Sequence, residues 1–135
     1  MMGAWGAGTF DADSARDFLA DKVGRWEKSI GKLIAGKVPR EFAALELEPG
    51  VDAAEACAMP LVEVMIVVAE RLDPDYLPSS ETIERWRSDY LALFDREMVG
   101  NDVDIEDATE RRAAINNTFS RLRTVIDSNA KNSAD

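Results

Sequence analysis

Asp52-Ala-Ala-Glu-Ala-Cys-Ala-Met-Pro-Leu-Val-Glu-Val-Met-Ile-Val-Val-Ala-Glu-Arg-Leu72 is the stretch on which the fold turns. Asp52 and Glu55 have the layout of a capping box, with Asp in place of Ser or Thr. The run they open is apolar on every side: Ala56, Met59, Leu61, Val62, Val64, Met65, Ile66, Val67, Val68 and Leu72. A helix without a polar face belongs at the centre of its domain. Pro60 is predicted to kink this helix or split it into two pieces, because it lacks an N–H and crowds the preceding turn. The β-branched density of Ile66 to Val68 also suits a buried strand, but the capping box and the length favour a helix. Glu63 is a lone acid among aliphatics. Cys57 reads as an inert buried thiol.

Helical periods recur on both sides of this rod. Upstream, Asp11 or Asp13 can cap a helix whose stripe is Ala15, Phe18, Leu19, Val23, Trp26, Ile30 and Leu33, with Lys22, Arg25, Lys28 and Lys32 on the other side. Gly24 and Gly31 weaken that helix and are places for a bend or a close backbone approach. Residues 36 to 50, bracketed by glycines and holding Pro39 and Pro49, read as a loop or short helix. Downstream, turns at Asp73-Pro74-Asp75 and Pro78-Ser79-Ser80 lead into a helix capped by one of the serines. Its buried face is Ile83, Trp86, Tyr90, Leu93 and Phe94. A last helix from Asp104 carries Ile105, Ala108, Ile115, Phe119, Leu122 and Ile126 as a heptad-like seam, which Arg112 interrupts. The seam's stray cation and the central helix's stray anion suggest an ion pair, Glu63 with Arg112. The expected fold is all-α: a compact single-domain bundle of four to five helices over residues 1–126, followed by a polar tail, 127–135, that frays.

The totals narrow the function. At 135 residues the chain fits one domain with a real core. Its net charge of −10 argues against nucleic-acid binding, which needs concentrated Lys and Arg. The single cysteine excludes an internal disulfide. The absence of histidine removes Ser-His-Asp and Cys-His catalysis and every imidazole metal site. No secretory signal precedes the helices, and the apolar run of 56 to 69 is too short and too interrupted to span a bilayer. Gly3 sits where a myristoylation site would place it if translation began at Met2, but Ala7 stands where that motif needs Ser or Thr. The cytoplasm is the simplest compartment.

The N-terminus has a different character: Gly3-Ala-Trp5-Gly6-Ala-Gly8-Thr-Phe10-Asp11-Ala-Asp13. Three glycines allow close approach and unusual backbone angles, while Trp5 and Phe10 carry large apolar surfaces. The segment reads as an irregular clamp that plugs a gap between helices. It is no dinucleotide or phosphate loop, since no strand precedes it, the third glycine of that pattern is missing and no Walker lysine follows. The signature Gly3, Trp5, Gly6, Gly8, Phe10, Asp11 and Asp13, followed by Ala15 and Asp17, resembles the opening of the bacterial domain-of-unknown-function family 4259, with Ala12 where that family usually has Asn. The match covers about a tenth of the chain. The resemblance implies a small, mostly helical bacterial domain and carries over no catalytic residue.

Charge supplies the functional expectation. Lys22 to Arg40 holds six basic residues against Glu27 alone, and Asp95 to Glu110 holds seven acids against Arg96 alone. The leading expectation is a non-catalytic interaction protein, immunity- or inhibitor-like, that binds a basic protein partner through Asp102, Asp104, Glu106, Asp107 and Glu110. No cofactor and no metal are called for. The row Asp13, Asp17 and Asp21 has the spacing of an oxygen-ligand site, but capping and solvation explain it more simply. Two alternatives stand beside this: a small-molecule-binding protein or hydrolytic enzyme using Asp11, Asp13 and Asp17 near the clamp, and a homo-oligomeric structural module in which the basic face of one copy meets the acidic segment of another.

Overall fold

The computed structural model describes residues 13–72, 74–98 and 105–134. The glycine-aromatic segment up to residue 12, Asp102 and Asp104 lie outside the described residues. The fold is all-α, with no strand among the described residues. Helix α1 is Asp13–Ile34; α2 spans residues 51–69; α3 is Ser80–Met98; α4 is Ile105–Ala134. Short 3-10 turns at Arg40–Leu45 and Pro74–Tyr76 lie in the connections.

Helix α1 runs unbroken through Gly24 and Gly31. It ends in a Schellman motif: Lys37 N–H donates to the Lys32 carbonyl at 2.9 Å and Gly36 N–H to the Leu33 carbonyl at 3.1 Å, with Gly36 at φ +88°. Leu19, Val23, Ile30 and Leu33 of the predicted stripe are buried, but Phe18 is 62% exposed and lies under the Lys22 ammonium. Phe18 sits about 100° round the helix from Leu19, enough to carry it off the core face.

Helix α2 confirms helix over strand at Ile66 to Val68, and it resolves the proline in a way its sequence did not suggest. Pro60 neither splits nor ends the rod. The turn before it, Ala54–Ala58, opens into a π-turn, closed by Met59 N–H on the Ala54 carbonyl. Widening one turn makes room for a ring that an α-turn would clash with. The capping box is also corrected. The helix starts at Val51, so Asp52 lies inside its first turn, where its carboxylate accepts from Glu48 N–H at 3.0 Å. Glu55 reaches across to Arg111 instead of back to its own helix start.

Ser79 caps α3, its hydroxyl accepting from Thr82 N–H at 3.1 Å. Ile83, Trp86, Tyr90, Leu93 and Phe94 are buried, meeting Ile115, Phe119, Leu122 and Ile126 of α4. Tyr90 and Phe119 stack edge to face, centroids 6.1 Å apart. Ile105, expected in that seam, is 82% exposed, because it is the first residue of the helix and lies ahead of the packed length. The α4 backbone is helical through Ala134.

Cross-links fix the directions of the helices. Arg112–Asp95, Arg87–Asn116 and Ser80–Asp127 run in opposite order along α3 and α4, so these two are antiparallel. Glu55–Arg111 and Glu63–Arg121 run in the same order along α2 and α4, so these are parallel.

Candidate functional site

Parallel packing of α2 and α4 brings both of their N-termini to one end of the bundle, where α3 finishes. Gly50 enters α2 at φ +110°, and the Glu97 carboxylate of α3 covers the opening: Val51 N–H donates to both of its oxygens at 3.2 Å. Glu97 is thus a cap supplied by another helix, set where the partial positive charge of a helix start favours an anion. A β-carbon at position 50 would lie 2.8 Å from Glu97 Cδ, which is why this position is glycine.

The same end carries the acids singled out from sequence. Glu106, Asp107 and Glu110 are exposed on the first turns of α4, with Asp95 and Asp52 exposed on the neighbouring helices. Arg112 pairs with Asp95 at 3.1 Å and Arg111 approaches Asp107 at 4.0 Å. Three of the five predicted partner-binding acids are therefore described, and they share one exposed surface.

Beneath that surface lies a constellation the sequence did not announce. Arg111 Nε donates to Glu55 at 2.9 Å, and its guanidinium lies 5.5 Å from the centre of the Phe94 ring. Close by, Tyr90 is fully buried and its hydroxyl has no partner among the described residues. Burial pushes the Tyr90 phenol well above its ordinary range, the Glu55 charge adds to this, and Arg111 opposes it. Arg111 is held charged by Glu55. Glu55 and Arg111 form a polar brace between α2 and α4, set against Phe94 of α3, beside a phenol that is kept protonated.

The expected Glu63–Arg112 pair is absent. Glu63 accepts from both terminal nitrogens of Arg121, at 2.9 and 3.0 Å, and from Thr118 at 3.1 Å, while Arg112 is tied to Asp95. Residue 112 lies at the height of Glu55, and Glu63 lies two turns further along, opposite 118 and 121. The sequence placed both charges on helix seams but could not give the register between helices. Cys57 is buried, its thiol pushed up by burial and then by Glu41, which suits an inert group.

Asp13 and Asp17 stand exposed on the first turns of α1, and Asp21 pairs with Arg25 at 3.2 Å. Among the described residues no group of three acidic or cysteine side chains is placed to hold a metal ion. No helix of the described residues is long and apolar enough to cross a membrane. The signature residues Gly3, Trp5, Gly6, Gly8, Phe10 and Asp11 lie outside the described residues; Asp13 alone is described.

One feature departs from the expectation for α2. Val62, Met65 and Ala69 are buried, but Val64 is 44% and Val67 70% exposed, in line with exposed Ala56 and Pro60. The rod is central on one side and bare on the other. Comparison with known protein families, with curated proteins and with solved structures finds no match to this chain.

Proposed function

We propose that this protein is a non-catalytic interaction module whose acidic end binds a basic protein partner, in the manner of an immunity or inhibitor protein. One observation supports it above the others: antiparallel α3–α4 and parallel α2–α4 packing gather Asp95, Glu106, Asp107 and Glu110 at one end of the bundle, all four exposed. Clustered like charges raise the local potential and speed the approach of an oppositely charged partner. The opening signature supports a relationship to the bacterial family 4259, which names no chemistry.

The test is neutralisation. The products of neighbouring genes are titrated against the full chain and against a variant carrying Asp102→Asn, Asp104→Asn, Glu106→Gln, Asp107→Asn and Glu110→Gln. A basic partner should bind the parent chain, weaken with added salt and lose most of its affinity for the variant. Binding that survives neutralisation unchanged refutes the electrostatic reading. The bare Val64–Val67 row favours a second reading, a homo-oligomer. Light scattering that shows a single-copy mass at both low and high salt would rule it out.

A further inference from the structure

A groove of about 360 Å³ lies between the last turns of α1 and the outer face of α3. Its floor is Gly31, Ile34, Trp86 and Leu93, and Arg85 and Arg96 stand at its two ends with Asp89 between them. The volume is within the range of small-molecule sites, roughly 300–1,000 Å³.

The arginines are what set this groove apart. In α3 and α4, Arg87, Arg111, Arg112, Arg121 and Arg123 each hold a carboxylate. Arg85 and Arg96, both exposed, have no ion-pair partner among the described residues, and they are the two that line the groove. This occurs in a chain with 26 acidic residues against 16 basic ones, where an arginine finds a carboxylate easily. Along α3 the two lie eleven residues apart, about 16 Å of helix, so their guanidiniums reach into the groove from opposite ends.

The wall is also open for a reason. Position 31 has no side chain, and the atom nearest to where its β-carbon would stand is Trp86 Nε1, at 3.9 Å. The glycine leaves the indole N–H edge facing the groove beside apolar Ile34 and Leu93. An indole edge with apolar neighbours suits a flat body, and a guanidinium suits a carboxylate in a forked, two-bond geometry.

We infer that this groove binds an elongated organic anion, its body lying along the groove past the N–H edge of the otherwise buried Trp86, with a carboxylate at one or both ends on Arg85 and Arg96. Asp89 disfavours negative charge at the ligand's middle, which selects for charge at the ends. The groove runs along the outer face of α3, with Arg96 at the acidic end, and the inference does not rest on the partner-binding reading of that end.

Biphenyl dicarboxylate, biphenyl monocarboxylate and the uncharged biphenyl carboxamide serve as probes, titrated into the full chain while the Trp86 indole N–H resonance is followed. The dicarboxylate should move that resonance at the lowest concentration, the monocarboxylate later, and the amide least. Arg85→Gln and Arg96→Gln should each weaken the dicarboxylate about tenfold, the lower end of the value of one charge-assisted hydrogen bond. Gly31→Leu should fill the groove and abolish the shift, while Gly24→Leu, on the same helix with open space around it, should leave it intact. The inference is overturned if the indole resonance does not move, if the amide binds as well as the dicarboxylate, or if folded Gly31→Leu binds the probe like the parent chain.

Discussion

Replacing Tyr90 with Phe removes one oxygen from the most enclosed part of the molecule, and its effect follows from two facts. The hydroxyl is buried without a partner among the described residues, and the ring packs edge to face on Phe119 at an interplanar angle of 68°. A buried donor left unpaired costs about 1–3 kcal/mol relative to its hydrated state, and Phe keeps the ring contact. At pH 7 the variant should therefore be more stable by about 1 kcal/mol. The alkaline limb gives a second, independent reading. The phenol is held above its ordinary value of 10.0, first by burial and then by Glu55. In the unfolded chain it ionises near that value while the folded chain keeps its proton. Stability is thus fully present below pH 10 and falls above it, by about 1.4 kcal/mol per pH unit. Phe has nothing to ionise. Its advantage should widen from about 1 kcal/mol at pH 7 to about 2.5 kcal/mol at pH 11, the difference cancelling the lysine titrations common to both chains. Urea unfolding followed by circular dichroism at the two pH values measures this. If Tyr90→Phe costs more than about 1 kcal/mol at pH 7, the hydroxyl has a partner and the brace is built differently. If the two chains lose stability in parallel above pH 10, the phenol is not held protonated.

Gly50→Ala meets both a left-handed backbone angle and the Glu97 carboxylate, and should cost about 2–3 kcal/mol in thermal or urea unfolding; in a Glu97→Ala background the cost should fall, because only the backbone strain remains. A double-mutant cycle of Glu63→Gln with Arg121→Met should show coupling of about 0.5–1 kcal/mol, as for a half-exposed two-point pair, whereas Glu63→Gln with Arg112→Met should be additive. Arg111→Lys keeps the charge but loses the two-nitrogen contact to Glu55 and the guanidinium's cation–π contact with Phe94; unfolding experiments should show a loss of about 1 kcal/mol, and an unchanged midpoint would mean that the cation alone suffices.

Much of the bundle was legible because hydrophobic period reports which side of a helix is buried. Leu19, Val23 and Ile30, then Ile83, Trp86 and Tyr90, then Phe119, Leu122 and Ile126 all lie where their spacing placed them. Period does not report how far along a helix packing extends, which is why Ile105 proved exposed, nor which helix faces which. The absent Glu63–Arg112 pair has that origin: neither charge is stranded among apolar neighbours, each being about half exposed, and their partners are decided by the register between helices. The π-turn was hidden for a related reason. Pro60 announces a conflict with the preceding turn, and whether a helix answers by stopping or by widening depends on whether its two halves are needed in one rod. Here α1 packs on the first half and α4 along the second, so breaking the rod would uncover both interfaces. The groove between α1 and α3 was invisible for the opposite reason, since Arg85 and Arg96 look like any solvated charge until the other arginines of α3 and α4 are seen to hold carboxylates.

The acidic end raises a question of cause, because carboxylates gather at helix starts for stability as well as for binding. The field of a helix terminus acts within about one turn. Glu106 and Asp107 lie in the first turn of α4, so part of their presence is explained by the fold. Neutralising each should cost about 0.3–1 kcal/mol. Glu110 is different. It lies beyond that turn, is exposed, has no partner among the described residues, and sits four residues from Glu106, where like charges repel. Glu110→Gln should therefore leave stability unchanged or raise it by about 0.2–0.5 kcal/mol. Such a charge does not serve the helix, which leaves solubility and recognition by another molecule as its uses. The decisive comparison is between Glu110→Gln and Glu106→Gln, measured for both unfolding and partner affinity. Weakened binding by Glu110→Gln at undiminished stability assigns the acidic end to recognition. Loss of stability from both, with binding intact, would assign it to the helix ends alone.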